Sequence, residues 1–270
     1  MENKIIMIGE SIHGVSEFTS FKCHYIKTLS APGSILIFEA DSLGMYISFL
    51  LGDTPRQQLE NFPKVHQTRE MLGLLSCARE KNIICLGADV IPRRHILTFP
   101  PGVCWRSERQ AQADVYHAIK AQAGYFALRD KYMAKAIMLI RKKLPGRNIL
   151  VLMHNLHIKK NGSAECPSLR LKSTAENLRE RRLDIHSIAL MASSGTACHN
   201  TLERFSFDIH DENAIEDYHH DREAFAQIAY KNIPAGLIAY HHAFEAETIP
   251  LQEQYDECVV FSHVHPPEFI

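Results

Sequence analysis

Five apolar stretches constrain this chain most: KIIMIG (4–9), SILIFEA (34–40), NIICLGAD (82–89), NILVLMH (148–154) and IHSIALMA (185–192). Each is strand-sized and rich in Ile, Leu and Val. None alternates apolar with polar residues, as a strand with one wet face would. Continuous apolar runs of this length belong to strands covered on both faces. The segments between them carry helical spacing: about Val15 to Leu29, HQTREMLGLLSCAREKN (66–82), a long region from 107 to 143 broken near Gly124, and LRLKSTAENLRERRL (169–183). Strand and helix in alternation imply βαβ units with right-handed crossovers. The expected fold is α/β: an open, mainly parallel sheet with helices on both faces, and a helical insertion or cap at about 90–145. AGLIAYH and ECVVFSH add two further strand candidates near the end. No repeat, low-complexity tract or long linker divides the chain, so residues 1–270 are expected to form a single α/β domain.

Composition narrows the function classes. The 30 basic and 31 acidic residues give a formal charge of −1, which argues against nucleic acid as the main partner. No apolar run reaches the roughly 20 residues of a bilayer span, and the start does not resemble a signal peptide. The seven cysteines are odd in number and contain no CxxC, which suits buried thiols in a reducing compartment. A cytoplasmic protein without membrane partners is the expectation. The sixteen histidines are unusual, and several cluster, as in DYHHDRE, AYHHAFE and SHVHPPE.

In open parallel sheets, ligands bind beyond the carboxyl ends of the strands. The first strand here ends in Gly9-Glu10, with His13 one turn on. The second ends in Glu39-Ala40-Asp41, the third in Gly87-Ala88-Asp89, and the fourth in His154-Asn155-Leu156-His157. Arg129 and Asp130 lie in the helical segment before the fourth strand. A glutamate and a histidine held together in a partly dry pocket shift each other's proton affinity, which is how a general base is set near neutral pH. The glycines around the first motif would let backbone approach a ligand and free an amide for an oxyanion. Other roles are open to some of these residues. An acid after a strand also caps the next helix, as Asp41 would; Asp89 could close a turn, and Arg129 with Asp130 could form a structural ion pair.

GESIHGVSEF (9–18) resembles the GExxHGxxEF signature of the erythromycin-esterase-like proteins, within a wider superfamily that includes ChaN-like haem-binding proteins. FEAD (38–41), REMLGLLSCAREKNIICLGAD (69–89), RDKYMA (129–134) and HNLHI (154–158) resemble further motifs of that family, in the family's order. The resemblance implies a hydrolase of esters or lactones that needs no metal or other cofactor and acts on a small-molecule or peptide-derived acyl substrate. It implies His13 as general base steered by Glu10, and Glu39 holding or polarising the water. It also implies His154 and His157 at the substrate carbonyl or oxyanion, with Arg129 and Asp130 in support. Where the family commonly carries arginine after the first motif, this chain has Lys22. It is shorter than the antibiotic-inactivating members, and Trp105 is its only tryptophan. A smaller cap alters the substrate pocket first, so a macrolide is not the expected substrate. Three alternatives stay open. The same base could serve acyl transfer, cyclisation or elimination. His13, His154, His157 and Glu10 or Glu39 could hold a divalent metal. The protein could instead bind haem or metal without catalysis.

Overall fold

The computed structural model describes residues 4–29, 31–165, 171–218, 225–229, 232–241 and 245–270. β1 (Ile5–Glu10) leads into α1 (Ser16–Leu29), and β2 (Ile35–Asp41) into α2 (Ser42–Leu51). A short α3 (Pro55–Gln58) and two 3-10 turns, Leu59–Asn61 and Lys64–His66, precede α4 (Arg69–Glu80) and β3 (Ile84–Asp89). Next come α5 (Trp105–Lys120), α6 (Tyr125–Lys143) and β4 (Ile149–His154). Short helices α7 (Asn155–Ile158), α8 (Gly162–Glu165) and α9 (Thr174–Arg179) lead to β5 (Ile185–Cys198). The last part holds β6 (Arg204–Asp208), α10 (Ile215–Tyr218), β7 (Phe225–Ala229), a small ribbon of β8 (Tyr240–His241) and β9 (Glu245–Ala246), α11 (Leu251–Gln254) and β10 (Glu257–Val264).

The sheet order is β3-β2-β4-β1-β5-β10-β7. All neighbours from β3 to β10 are parallel; β7 joins β10 antiparallel, and β6 pairs antiparallel with the far end of β5. Both faces are covered. Ile8, Leu36, Phe38 and Leu152 pack under Phe18 and Ile26 of α1 and Leu74 and Leu75 of α4. Their chain neighbours Met7, Ile37, Val151 and Met153 pack on the opposite face against Met133 and Ile137 of α6 and Leu178 of α9. Successive strand residues point to opposite faces, so two covered faces require an unbroken apolar run.

From β1 the chain crosses to β2 through α1 on one face. From β4 it crosses to β5 through α9 on the other. β1 and β4 are neighbours with Glu10 opposite His154, so their carboxyl ends flank the point where the connections part. That is where open α/β sheets bind ligands.

Several boundaries differ from expectation. Of the insertion expected at 90–145, only residues 90–120 stand outside the βαβ pattern: α6 is the crossover helix into β4, packed on β3 and α9, whereas α5 buries only Trp105 and Ile119. The helix expected from 66 begins at Arg69, because Thr68 is extended and caps it by accepting the Met71 amide. AGLIAYH is mostly not strand; Gly236 turns the chain at positive φ, leaving Tyr240–His241 in the small ribbon. Its His241 pairs with Glu245 there, apart from the main sheet. The HPPEFI end is tied down: the Arg69 amide donates to the Glu268 carbonyl (2.8 Å), and Phe269 bridges to Thr68. Cys166, Leu169, Arg170, His219, His220 and His242 lie outside the described residues.

Candidate active site

α1 carries an apolar stripe on which Phe18, Lys22 and Ile26 follow one another at i, i+4 and i+8. Phe18 and Ile26 are fully buried, and Lys22 between them is only 3 % exposed. A lysine in such a position needs an anion. It has one: Lys22 Nζ donates to Glu10 Oε2 at the end of β1. The other carboxylate oxygen, Oε1, lies 2.8 Å from His13 Nδ1 and 3.6 Å from His66 Nε2. The His13 ring stands edge-on to His66 and to His154, each with centroids 4.8 Å away.

Two glycines let this turn form. A Cβ on Gly9 would lie 2.3 Å from Asn155 Oδ1 and 2.9 Å from Asn155 Cα, so β1 can lie this close to α7 only without a side chain. Gly14 has φ +66°, and a Cβ there would meet the Cys198 carbonyl at 2.6 Å.

Burial alone would raise the Glu10 carboxyl. The Lys22 ammonium, the His13 hydrogen bond and the two imidazoles outweigh it and hold Glu10 far below the usual carboxylate range. His66 moves the other way: burial lowers it to about 4 despite the attraction of Glu10, so its ring is neutral near pH 7.

A second cluster lies at the ends of β2, β3 and β4. Arg129 and Asp130 share the buried stripe of α6 with Met133, Ala134 and Ile137. Arg129 grips Asp89 with two bonds, Nε to Oδ1 and Nη2 to Oδ2, each 2.9 Å, and Nη2 also reaches Glu39 Oε1 at 2.6 Å. His157 lies between two carboxylates, with Nδ1 2.9 Å from Asp130 Oδ1 and Nε2 3.3 Å from Glu39 Oε1. Burial disfavours its charge, but Asp130 and Glu39 prevail and raise it to about 10. Glu39 is correspondingly held well below its ordinary value: burial pushes it up, and His157 with Arg129 pulls it down further. Asp130 also accepts the amide and hydroxyl of Thr174, each at 2.6 Å.

His154 joins the clusters. Its backbone N–H donates to Glu39 Oε2 (3.0 Å), and its ring packs on His13. Its Nδ1 accepts the Leu156 amide, which leaves the proton on Nε2, 3.1 Å from the Ser11 carbonyl. Between the clusters is a cavity of about 20 Å³, lined by Glu10, Lys22, Glu39 and His66 with apolar walls that include Phe38 and Met71. That volume holds roughly one water.

Glu10, His13, Lys22, Glu39, Asp89, Arg129, Asp130, His154 and His157 therefore converge on one sheet edge. Asp41 does not join them. It caps α2 by accepting the Gly44 amide (2.9 Å) and binds the Arg93 amide, Gln112 and Arg109 in the 90–120 segment. His66 was not singled out by sequence, where it reads as the first residue of a helix. Among the described residues, the group able to offer a metal three ligand atoms is Glu10, His13 and His66, with those atoms within 4.8 Å of one another. His154 and His157 are not part of it.

No family model matches the chain, and no curated protein matches it. Its solved structural neighbours include a protein from Bacillus cereus (TM-score 0.73, 15% identity, covering 98% of this chain and 90% of that one). A succinoglycan biosynthesis protein matches with TM-score 0.72 and 13% identity, covering 99% of this chain and 90% of that one. A mutant erythromycin esterase in its open conformation matches with TM-score 0.67 and 13% identity, covering 98% and 92%. At such identities the likeness is one of fold, and it is the erythromycin-esterase-like fold that this chain adopts.

Proposed function

We propose that the protein is a hydrolase of an ester, lactone or related acyl bond in a small or medium-sized natural product. The observation that carries this is the state of His13: Nδ1 is held on Glu10, and Nε2 has no hydrogen-bond partner among the described residues. In this reading Nε2 takes a proton from water as the water attacks the carbonyl, and later returns it to the leaving alkoxide. Glu10 fixes the tautomer and stabilises the imidazolium. Lys22 keeps Glu10 ionised, so it accepts from His13 rather than protonating it. Neutral His66 is the group we assign to steady the developing oxyanion. His154, Glu39, His157, Arg129, Asp130 and Asp89 hold the two halves of the site in register, with Glu39 facing the water-sized cavity.

A second reading rests on the Glu10, His13 and His66 cluster, which could bind a divalent ion with a position left for water. The Lys22 ammonium already occupies one oxygen of Glu10, so an ion there would share its only carboxylate with a positive charge. That favours the metal-free reading.

Turnover of an ester and lactone panel by the purified protein, with and without a strong chelator, separates the two. Hydrolysis that resists chelation and is lost in His13→Ala supports the general base. Activity removed by the chelator and restored by one metal moves these residues into a metal site. Full activity in His13→Ala overturns both assignments of this histidine.

A further inference from the structure

A cleft far larger than the water-sized cavity lies beside the catalytic edge rather than in it. It has a volume of about 600 Å³, within the span of about 300–1,000 Å³ usual for small-molecule sites. It is formed by residues 92–99 and the start of α5, and its lining includes Arg93, Arg94, Arg106 and Arg109 together with His95. Among the described residues, no carboxylate lines it. The remainder is largely apolar, with Ile96, Leu97 and Phe99 prominent.

The arginines are positioned from behind. Arg93 contacts Asp89 at 3.3 Å, Arg94 pairs with Asp53 and Glu60, and Arg109 pairs with Asp41. Arg109 also donates to the Arg94 carbonyl, which ties α5 to the loop. These acids anchor the guanidinium groups without lining the cleft. Arg106 has no ion-pair partner among the described residues, and Arg93 Nε is buried without an acceptor among them. The exposed Arg106 guanidinium is therefore free to bind an anion in the cleft. The cleft is also coupled to the catalytic edge, since Arg93 shares Asp89 with Arg129, which holds Glu39.

We propose that this cleft recognises the anionic end, carboxylate or phosphate, of a substrate whose body is apolar. The arginines take the charge, and Ile96, Leu97 and Phe99 take the body. Where the cleft presents that substrate to His13, the proposal rests on the hydrolase reading; the recognition itself does not.

Calorimetric titration of the full chain tests it with phenyl phosphate, 4-phenylbutyrate and the neutral 4-phenylbutanol. At least one anion should bind about tenfold or more tighter than the alcohol, and that binding should weaken with added salt. Arg106→Glu changes an exposed side chain without an ion pair, and should weaken anion binding about tenfold or more while leaving the melting temperature unchanged. Arg93→Gln should weaken it as well. His13→Ala should bind the anions as the wild type does. Anions held no more tightly than the alcohol, or held equally by wild type and Arg106→Glu, would overturn the proposal. Anion binding that persists in a protein hydrolysing no ester would uphold the cleft and sink the hydrolase. Hydrolysis without anion selectivity would do the reverse.

Discussion

His157 offers a prediction whose size follows from its surroundings. Its ring is buried between Asp130 and Glu39, at 2.9 and 3.3 Å, and keeps its proton up to about pH 10 in the fold against an ordinary value of 6.5. The group is raised, so its contribution to stability is complete below about pH 6.5 and is lost as pH rises through about 10. Between those limits the folded protein holds one proton more than the unfolded chain. Unfolding free energy should therefore fall by ~1.4 kcal/mol per pH unit, or roughly 5 kcal/mol over the window. The assay is urea unfolding followed by circular dichroism from pH 6 to 10 at constant ionic strength, on wild type and His157→Gln. Glutamine keeps a donor but cannot carry charge, and it leaves two buried carboxylates short of a cation. The variant should be less stable by several kcal/mol at pH 6.5, with the gap closing steadily toward pH 10. Taking the difference removes the titration of other groups. A gap of constant size across this range would show that His157 is neutral in the fold, and that the Asp130–His157–Glu39 bridge is not ionic.

Lys22→Met removes the foremost influence that lowers Glu10, so the acid limb of the kcat/KM profile should shift to higher pH; an unmoved limb would detach Glu10 from the base. For His66→Ala, kcat should fall about 10²-fold or more, with partial recovery in His66→Gln, which keeps a donor. Equal rates in the two variants would remove His66 from oxyanion stabilisation. Gly9→Ala forces a Cβ to within 2.3 Å of Asn155 Oδ1, and should cost about 1–3 kcal/mol, read as a lowered melting temperature. A melting temperature equal to wild type would mean that β1 and α7 can part freely.

The parallel sheet was legible because burial on two faces leaves an unmistakable trace, as in Ile35–Phe38, where neighbouring residues enter opposite cores. The antiparallel β6 and β7 left a weaker one: RFSFD alternates and lies half-exposed at the end of β5, so no apolar run marks it. Lys22 was readable in principle as a cation breaking an apolar stripe. His66 carried no such sign. Its place beside Glu10 depends on a 3-10 turn and a bridge to Phe269, contacts far apart in sequence. Asp41 and Glu39 stand two residues apart at one strand end, yet one caps α2 and the other binds Arg129. Strand alternation alone would put both on one face; the register shift between Phe38 and Asp41 and the course of the following chain separate them, and neither is written in the acid itself. The arginine cleft was also beyond reach, because 90–104, which forms one side of it, lacks the periodicity that would have fixed its path.

The order in which this chain is synthesised differs from the order in which its site can assemble. β1 carries Glu10 and is made before the other strands of this sheet, but it is an inner strand whose partners, β4 and β5, begin at Ile149 and Ile185. The segment behind His66 is bridged by Glu268, Phe269 and Ile270. A nascent chain therefore carries Glu10 and His13 early without the strands that frame them. Pairings this distant slow folding. They also postpone completion of this edge of the sheet until residues 268–270 close against the start of α4.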